Sequence, residues 1–424
     1  MHERITNCIP MLISVLSRFF PAASTGLAAP IMALIPTCKV VHCQLLLLLS
    51  TILFLPLAVS FQSTDTLQSS QASFPEDGAV VSIRIPEQKV FDGIEFPLVL
   101  GPNKKMNISE GTLQERLTKW VLASTPKLLD DLLLKHGAIL FKGFHIDSPH
   151  HFNDIVETFG FENFPYVGGA AVRRQLAPRV FTTNESPPTE KIPFHHEMAQ
   201  VPAFPDKVFF QCDMPSETGG ETPVLPSWEI CRRLEALHPE FIRKLEKGVR
   251  YIRVMPEEDD PSSAIGRGWK STYATSDRSK VSNILKSLNY SGEWLPDGSL
   301  RTISPVLPAV RHDLGENRSG RKTFFNSVVA VFTGWNDSRN KGETAIEFAD
   351  GSYLDPSLIT VAGRLMEELA VAFPWCRGDF ILIDNHTVMH SRRPFTGKRI
   401  VTASLAKALR APLDELKKGP REEL

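Results

Sequence analysis

The chain has 424 residues, 42% hydrophobic and 22% charged, with 26 Gly and 32 Pro, an ordinary balance for one large or two modest globular domains; collagen, coiled coil and wholesale disorder are excluded. Lys and Arg number 47 against 48 Asp and Glu, so the net charge is −1 and no basic surplus exists to neutralise a phosphate backbone. A nucleic-acid partner is not expected; a local site for an anionic small molecule is compatible with this balance.

Residues 1–61 differ from the rest. Leu45 to Phe61 is an uncharged run preceded by Lys39 and His42 and ending near the small residues Ala58, Val59 and Ser60. It reads as a signal peptide or short signal-anchor. With Pro56 inside it, the run sits at the lower limit of roughly 17 to 25 residues for a spanning helix, so any membrane association is expected only through this segment. A plastid transit peptide and an upstream gene-model extension are the alternatives. Six N-x-S/T sequons begin at Asn107, Asn184, Asn289, Asn317, Asn336 and Asn385. Asn385 lies inside the motif that carries the chemistry below, where a glycan would block the site. The sequons therefore read as accidental, and the catalytic part as cytosol-like or plastid-like. The body cysteines, 212, 231 and 376, form no CxxC pair and suit a reduced compartment.

Residues 62–78, rich in Ser, Thr and Gln, read as a linker; 79–411 is the folded domain and 412–424 a charged tail. Along the domain, strands are expected at Ala79–Pro86 and Phe96–Leu100, then a helix over Leu113–Lys135 and a buried strand between Gly137 and Gly143. Helices follow over Trp228–Lys247, Asp277–Ser287 and Asp355–Phe373, the last with Asp355 as N-cap and Pro356 at its first position. Strands are expected at Lys207–Cys212, Val249–Val254, Lys322–Phe325, Asp379–Ile383 and Ile400–Leu405. Irregularly spaced strands, long Pro/Gly-rich loops and flanking helices predict a mainly β, α+β protein, a β-sandwich or jelly roll with helices outside. Neither GxGxxG nor a P-loop is present.

Two imidazoles and a carboxylate can form the facial triad of a non-haem iron site, and a His-x-Asp/Glu triplet on a strand sends two of these side chains to one face. Twelve histidines yield roughly one such triplet by chance, and there are three. His238/Glu240 lies in a charged helical stretch and reads as solvated surface. His145/Asp147 abuts Ser-Pro and reads as a loop, with Asp147 capping the next helix. His195/Glu197, in Pro193-Phe-His-His-Glu-Met, has an extended approach and is the candidate metal pair. A second motif, Gly378-Asp-Phe-Ile-Leu-Ile-Asp-Asn385-His-Thr-Val-Met-His390-Ser-Arg-Arg-Pro-Phe395, follows a strand with a turn and offers His390 as third ligand. An i, i+4 zinc pair of His386 and His390 is the competing reading, though it lacks the glutamate of HExxH.

Taken together, residues 80–411 resemble the taurine dioxygenase-like (TauD/TfdA) family of iron(II)/2-oxoglutarate dioxygenases, in particular its clavaminate synthase-like plant members. Gly137 to Gly143, Asn184-Glu-Ser-Pro-Pro, Pro193 to Gln200, Gly219-Gly-Glu-Thr222, Phe325-Asn326 and Asp384 to Phe395 occur in family order. The resemblance implies a double-stranded β-helix core, His195, Glu197 and His390 as iron(II) ligands, and Thr222 as a 2-oxoglutarate contact. It implies oxidation of a C–H bond of a small-molecule substrate by O2, with release of succinate and CO2. The family's usual 2-oxoglutarate arginine corresponds to Ala403 here, and Arg399, four residues earlier, is the substitute, with Lys407 behind it. Asn184 and Glu185 are pocket candidates, Arg173 and Arg174 candidates to meet an anionic substrate, and Trp269 a loop residue over the site or a packing aromatic. A non-catalytic metal or dicarboxylate sensor and a zinc hydrolase are the rival functions.

Overall fold

The computed structural model describes residues 78–105, 111–124, 127–165, 173–183, 186–314 and 319–410, all within the compact unit Ala72–Leu424. The signal-like segment 1–61, linker residues 62–77 and the tail 412–424 lie outside the described residues, as do Asn184 and Glu185. Among the described residues no helix is long and apolar enough to cross a membrane.

Short apolar runs form the large sheet. Phe380–Asp384 is buried at every position, so it needs cover on both faces. It pairs antiparallel with Lys207–Met214, which pairs in turn with Ile400–Arg410; on the other side it meets Ala138–Phe141. Among the described residues the sheet has nine strands, running from Val80–Ser82 at one edge to Gln175–Ala177 at the other. One of its joins, Leu98–Pro102 with Ala138–Phe141, is parallel. On one face Phe141 stacks on Phe380 at 4.4 Å, and Phe209 meets Phe159 at 5.2 Å, above the helices Leu113–Ser124, Lys127–His136 and Pro149–Thr158.

The opposite face carries Val208, Phe210, Ile381, Ile383, Val401 and Ala403, and these pack with Val224 and Val388 of a second, three-stranded sheet. That sheet runs Val224–Pro226, Val388–Arg392, Ile192–His195. Its far side, with Phe194, Leu225 and Met389, is covered by Ser227–Leu237, Pro239–Glu246, Val328–Gly334 and Pro356–Leu369. The result is two facing sheets with helices on both outer sides, a mixed α/β molecule.

Several elements differ from the sequence reading. Leu113–Lys135 forms two helices rather than one, with Pro126 between them in the sequence. Trp228–Lys247 divides at Pro239, which starts the second helix because it lacks an amide donor. The helix from Pro356, capped by the Asp355 side chain as expected, stops at Leu369, where Val371 instead bridges Val224. Ser148, not Asp147, caps the helix at Pro149; Asp147 pairs with His151.

Candidate metal centre and cofactor pocket

The three-stranded sheet creates the site. His390 lies directly opposite His195 in antiparallel register, their ring centroids 4.4 Å apart. The strand ends at His195, so Glu197 does not arrive by simple alternation. It sits in a tight turn that passes through a left-handed Met198 (φ 58°), and side chains from elsewhere hold that turn. The His196 amide donates to the Asn326 carbonyl at 3.2 Å, and the Asn385 side chain accepts the Glu197 amide at 2.8 Å. One ligand atom from each of His195, Glu197 and His390 lies within 4.8 Å of the others, and among the described residues no other such group of three occurs.

The electrostatics suit a cation. His195 Nδ1 donates to the Pro193 carbonyl at 2.8 Å, which leaves Nε2 as the lone-pair atom. Burial, followed by the neighbouring His390, lowers the His195 pKa to about 4, so the imidazole is neutral near pH 7, as a ligand must be. Burial pushes the Glu197 carboxyl upward, but Arg173, followed by the adjacent His390, outweighs it and holds the group ionised, well below the usual carboxylate range. His390 Nε2 stands 3.4 Å from Glu197 Oε2, and His390 Nδ1 is buried without a hydrogen-bond partner. Two imidazole nitrogens and one carboxylate oxygen converging this way fit a divalent transition metal. The competing zinc pair is not formed: His386 turns to Asp206 at 2.5 Å and packs against Phe204.

These three side chains line a cavity of about 370 Å³ between the two sheets. Thr222 and Arg399 line it too. Arg399 precedes the strand Ile400–Arg410 rather than lying on it, and its Nε donates to the Gly220 carbonyl at 2.7 Å. Its Nη2 and the Trp375 indole both donate to Thr222 Oγ1, at 3.2 and 3.1 Å. With its oxygen already accepting two bonds, the Thr222 hydroxyl proton is free to point at an acceptor in the cavity. Gly220 makes this packing feasible: it has φ +72°, and a Cβ there would come within 2.9 Å of Arg399 Cδ. Burial, then Arg392, lowers the Arg399 pKa to about 10, still cationic at neutral pH. Ala403 is fully buried between strand neighbours Phe210 and Phe181 and contributes no charge.

The remaining candidates separate cleanly. Arg173 lines the cavity and pairs with Glu197 at 2.7 Å; Arg174 is exposed and does not line it. Lys407 forms a surface pair with Glu162. Trp269 is buried in its own cluster with Met255, Val281, Leu285 and Leu300, donating to the Gly298 carbonyl, so it packs rather than covers the site. His238 and Glu240 sit at a helix start, with Glu240 paired to Arg243 on the surface. Residues to which the sequence reading gave no role also build the pocket. Arg392 donates to the carbonyls of Ser186, Pro187 and Glu190, fixing one wall. Ala330, Val331, Trp335 and Ile265 supply an apolar wall, for which the sequence carried no more than ordinary hydrophobic periodicity.

The model of the taurine catabolism dioxygenase TauD, TfdA family matches residues 111–405. The chain belongs to the TauD/TfdA family. A clavaminate synthase-like protein of Arabidopsis thaliana is 46% identical to this TauD/TfdA chain over 329 residues, covering 77% of it and 98% of the relative. The dapdiamide synthesis protein DdaC of Enterobacter agglomerans is 26% identical over 290 residues, 65% of this chain and 84% of that one. The solved structure of PvcB, described as an Fe, alpha-ketoglutarate dependent oxygenase from an isonitrile synthetic pathway, has a TM-score of 0.43 at 16% identity, over 80% of this chain and 97% of that one. At the level of the family, the TauD/TfdA chain is an oxygenase.

Proposed function

We propose that the protein is an iron(II)- and 2-oxoglutarate-dependent dioxygenase that oxidises a C–H bond of a small molecule, and that its facing sheets are the double-stranded β-helix of its family. The observation that carries this reading is the convergence of His195, Glu197 and His390 within 4.8 Å, in the same cavity as Thr222 and Arg399. His195 and His390 would each offer one imidazole nitrogen, and Glu197 the one anionic oxygen. Iron(II), when held there, supplies the dioxygen-activating redox chemistry, with 2-oxoglutarate as electron donor. Arg399 and Thr222 would grip the far carboxylate of the keto acid, the guanidinium by charge and the hydroxyl by its spare proton. The apolar wall of Ile265, Val331 and Trp335 would exclude water from the substrate side.

Anaerobic loading with iron(II), followed by admission of O2 in the presence of 2-oxoglutarate, tests the proposal. Succinate release that requires iron, 2-oxoglutarate and O2 is the expected result. Keto-acid binding without turnover would instead identify a sensor, and hydrolysis with zinc and no oxygen demand a zinc hydrolase.

A further inference from the structure

The two oxygens of the Glu197 carboxylate have different surroundings. Oε2 faces His390 Nε2 at 3.4 Å, on the side where the ligands meet, whereas Oε1 accepts a hydrogen bond from Arg173 Nη2 at 2.7 Å. The guanidinium that takes Oε1 is itself braced. Its carbon lies 5.0 Å from the centre of the Phe181 ring, and its side chain is only 10% exposed. Phe181 belongs to the strand Val180–Thr182, which pairs with Ile400–Arg410, and the Arg174 amide donates to Thr182 Oγ1 at 3.0 Å. Arg173 is therefore tied to the large sheet, while Glu197 belongs to the turn after the small one.

We propose that Arg173 is a positioning residue that keeps Glu197 monodentate toward the metal, occupying Oε1 so that Oε2 alone coordinates. The proposal rests on the metal-binding reading of the triad. Its consequence is a matter of counting: one atom each from His195, Glu197 and His390 fills three positions of a six-coordinate ion and leaves about three open. A keto acid that chelates through two oxygens takes two of them, and a third is needed for O2. A bidentate Glu197 would close that third position. An arginine suits the task because its planar fork fixes a carboxylate oxygen directionally, which a lysine ammonium does not. It also places a positive charge beside a cation site, an electrostatic cost that simple neutralisation of Glu197 would not need once the metal is bound.

Manganese(II), stable in air and paramagnetic, allows the open positions to be counted as exchangeable waters by water-proton relaxation of the protein–metal complex. Wild-type protein should show about three waters and Arg173→Met about two, a relaxivity lower by about a third. Arg173→Lys should fall between them, and Phe181→Leu, which removes the brace but keeps the guanidinium, should shift the same way by less. Loss of a positive charge alone would tighten metal binding without changing the number of waters, so the count separates positioning from electrostatics. An unchanged count in an Arg173→Met protein with wild-type circular dichroism overturns the proposal, as does complete loss of manganese binding in that variant. If Arg173→Met does not fold, an unchanged count in Phe181→Leu and Arg173→Lys overturns it. Absence of manganese binding by the wild type would instead refute the triad reading itself, and this inference with it.

Discussion

The side chain of Asn385 brackets the backbone of Glu197: its Oδ1 accepts the Glu197 amide at 2.8 Å, and its Nδ2 donates to the Glu197 carbonyl at 3.0 Å. Nδ2 also reaches the Pro205 carbonyl at 2.7 Å, and the Asn385 backbone carbonyl stands 2.5 Å from His196 Nδ1. Asn385 is completely buried. It joins the turn that delivers Glu197 to the turn that precedes His390, so the three candidate ligands form one mechanical unit although nearly 200 residues separate them. A glycan on the Asn385 side chain would be incompatible with this packing.

Asn385→Ala should therefore loosen the ligand set without touching it. Metal affinity is expected to fall about 10- to 100-fold, the usual effect of removing a group that orients a ligand. Equilibrium titration with manganese(II) measures it. Wild-type affinity in this variant would show that the Glu197 turn holds its shape unaided.

Arg399 and Gly220 make a linked prediction about the keto acid. Loss of the guanidinium in Arg399→Ala removes a charge-assisted bond of about 1.5–3 kcal/mol, so the 2-oxoglutarate Kd should rise roughly 10- to 150-fold. Gly220→Ala should raise it in the same direction by a smaller factor, because the added methyl displaces Arg399. Calorimetric titration of 2-oxoglutarate into the manganese-loaded protein reads both, and unchanged binding in Arg399→Ala would move the keto-acid anchor elsewhere.

Thiol chemistry reports on the sheets. Burial pushes the Cys212 and Cys231 thiols up to about 12, so at pH 8.5 each stays protonated in the folded protein and becomes a normal nucleophile only when unfolded. Cys376 is exposed. Iodoacetamide at pH 8.5 should label Cys376 in native protein and reach Cys212 and Cys231 only in denaturant, as peptide mass mapping would show. Native labelling of Cys212 at the rate of Cys376 would contradict the packing between the sheets.

The candidate ligands were more legible in the sequence than the contacts that bring them together. Pro193 marked an extended approach to His195, and the Asp384–Asn385 turn pointed to His390, because such local signals survive in a linear reading. The i, i+2 argument singled out Glu197, which the structure does bring beside His195 and His390, yet the strand ends before it and the geometry comes from Asn385 and Asn326, contacts that no local pattern encodes. Arg399 was legible as a basic residue beside the last strand, whereas its seat on Gly220 and Thr222 depends on a turn almost 180 residues away. Helix boundaries failed where a proline interrupted a continuous apolar period, as at Pro239. The wall formed by Val328–Gly334 and Trp335 was missed because its apolar pattern is that of any buried helix.

The central claim is that His195, Glu197 and His390 hold one divalent ion. Crystals grown with manganese(II), measured at a wavelength that gives the metal an anomalous signal, test it most directly. One strong peak is expected within about 2.2 Å of a nitrogen of each histidine and of Glu197 Oε2, and it should disappear in His390→Ala protein that keeps the wild-type fold. A peak bound elsewhere, or one that persists undiminished in His390→Ala, would contradict the account.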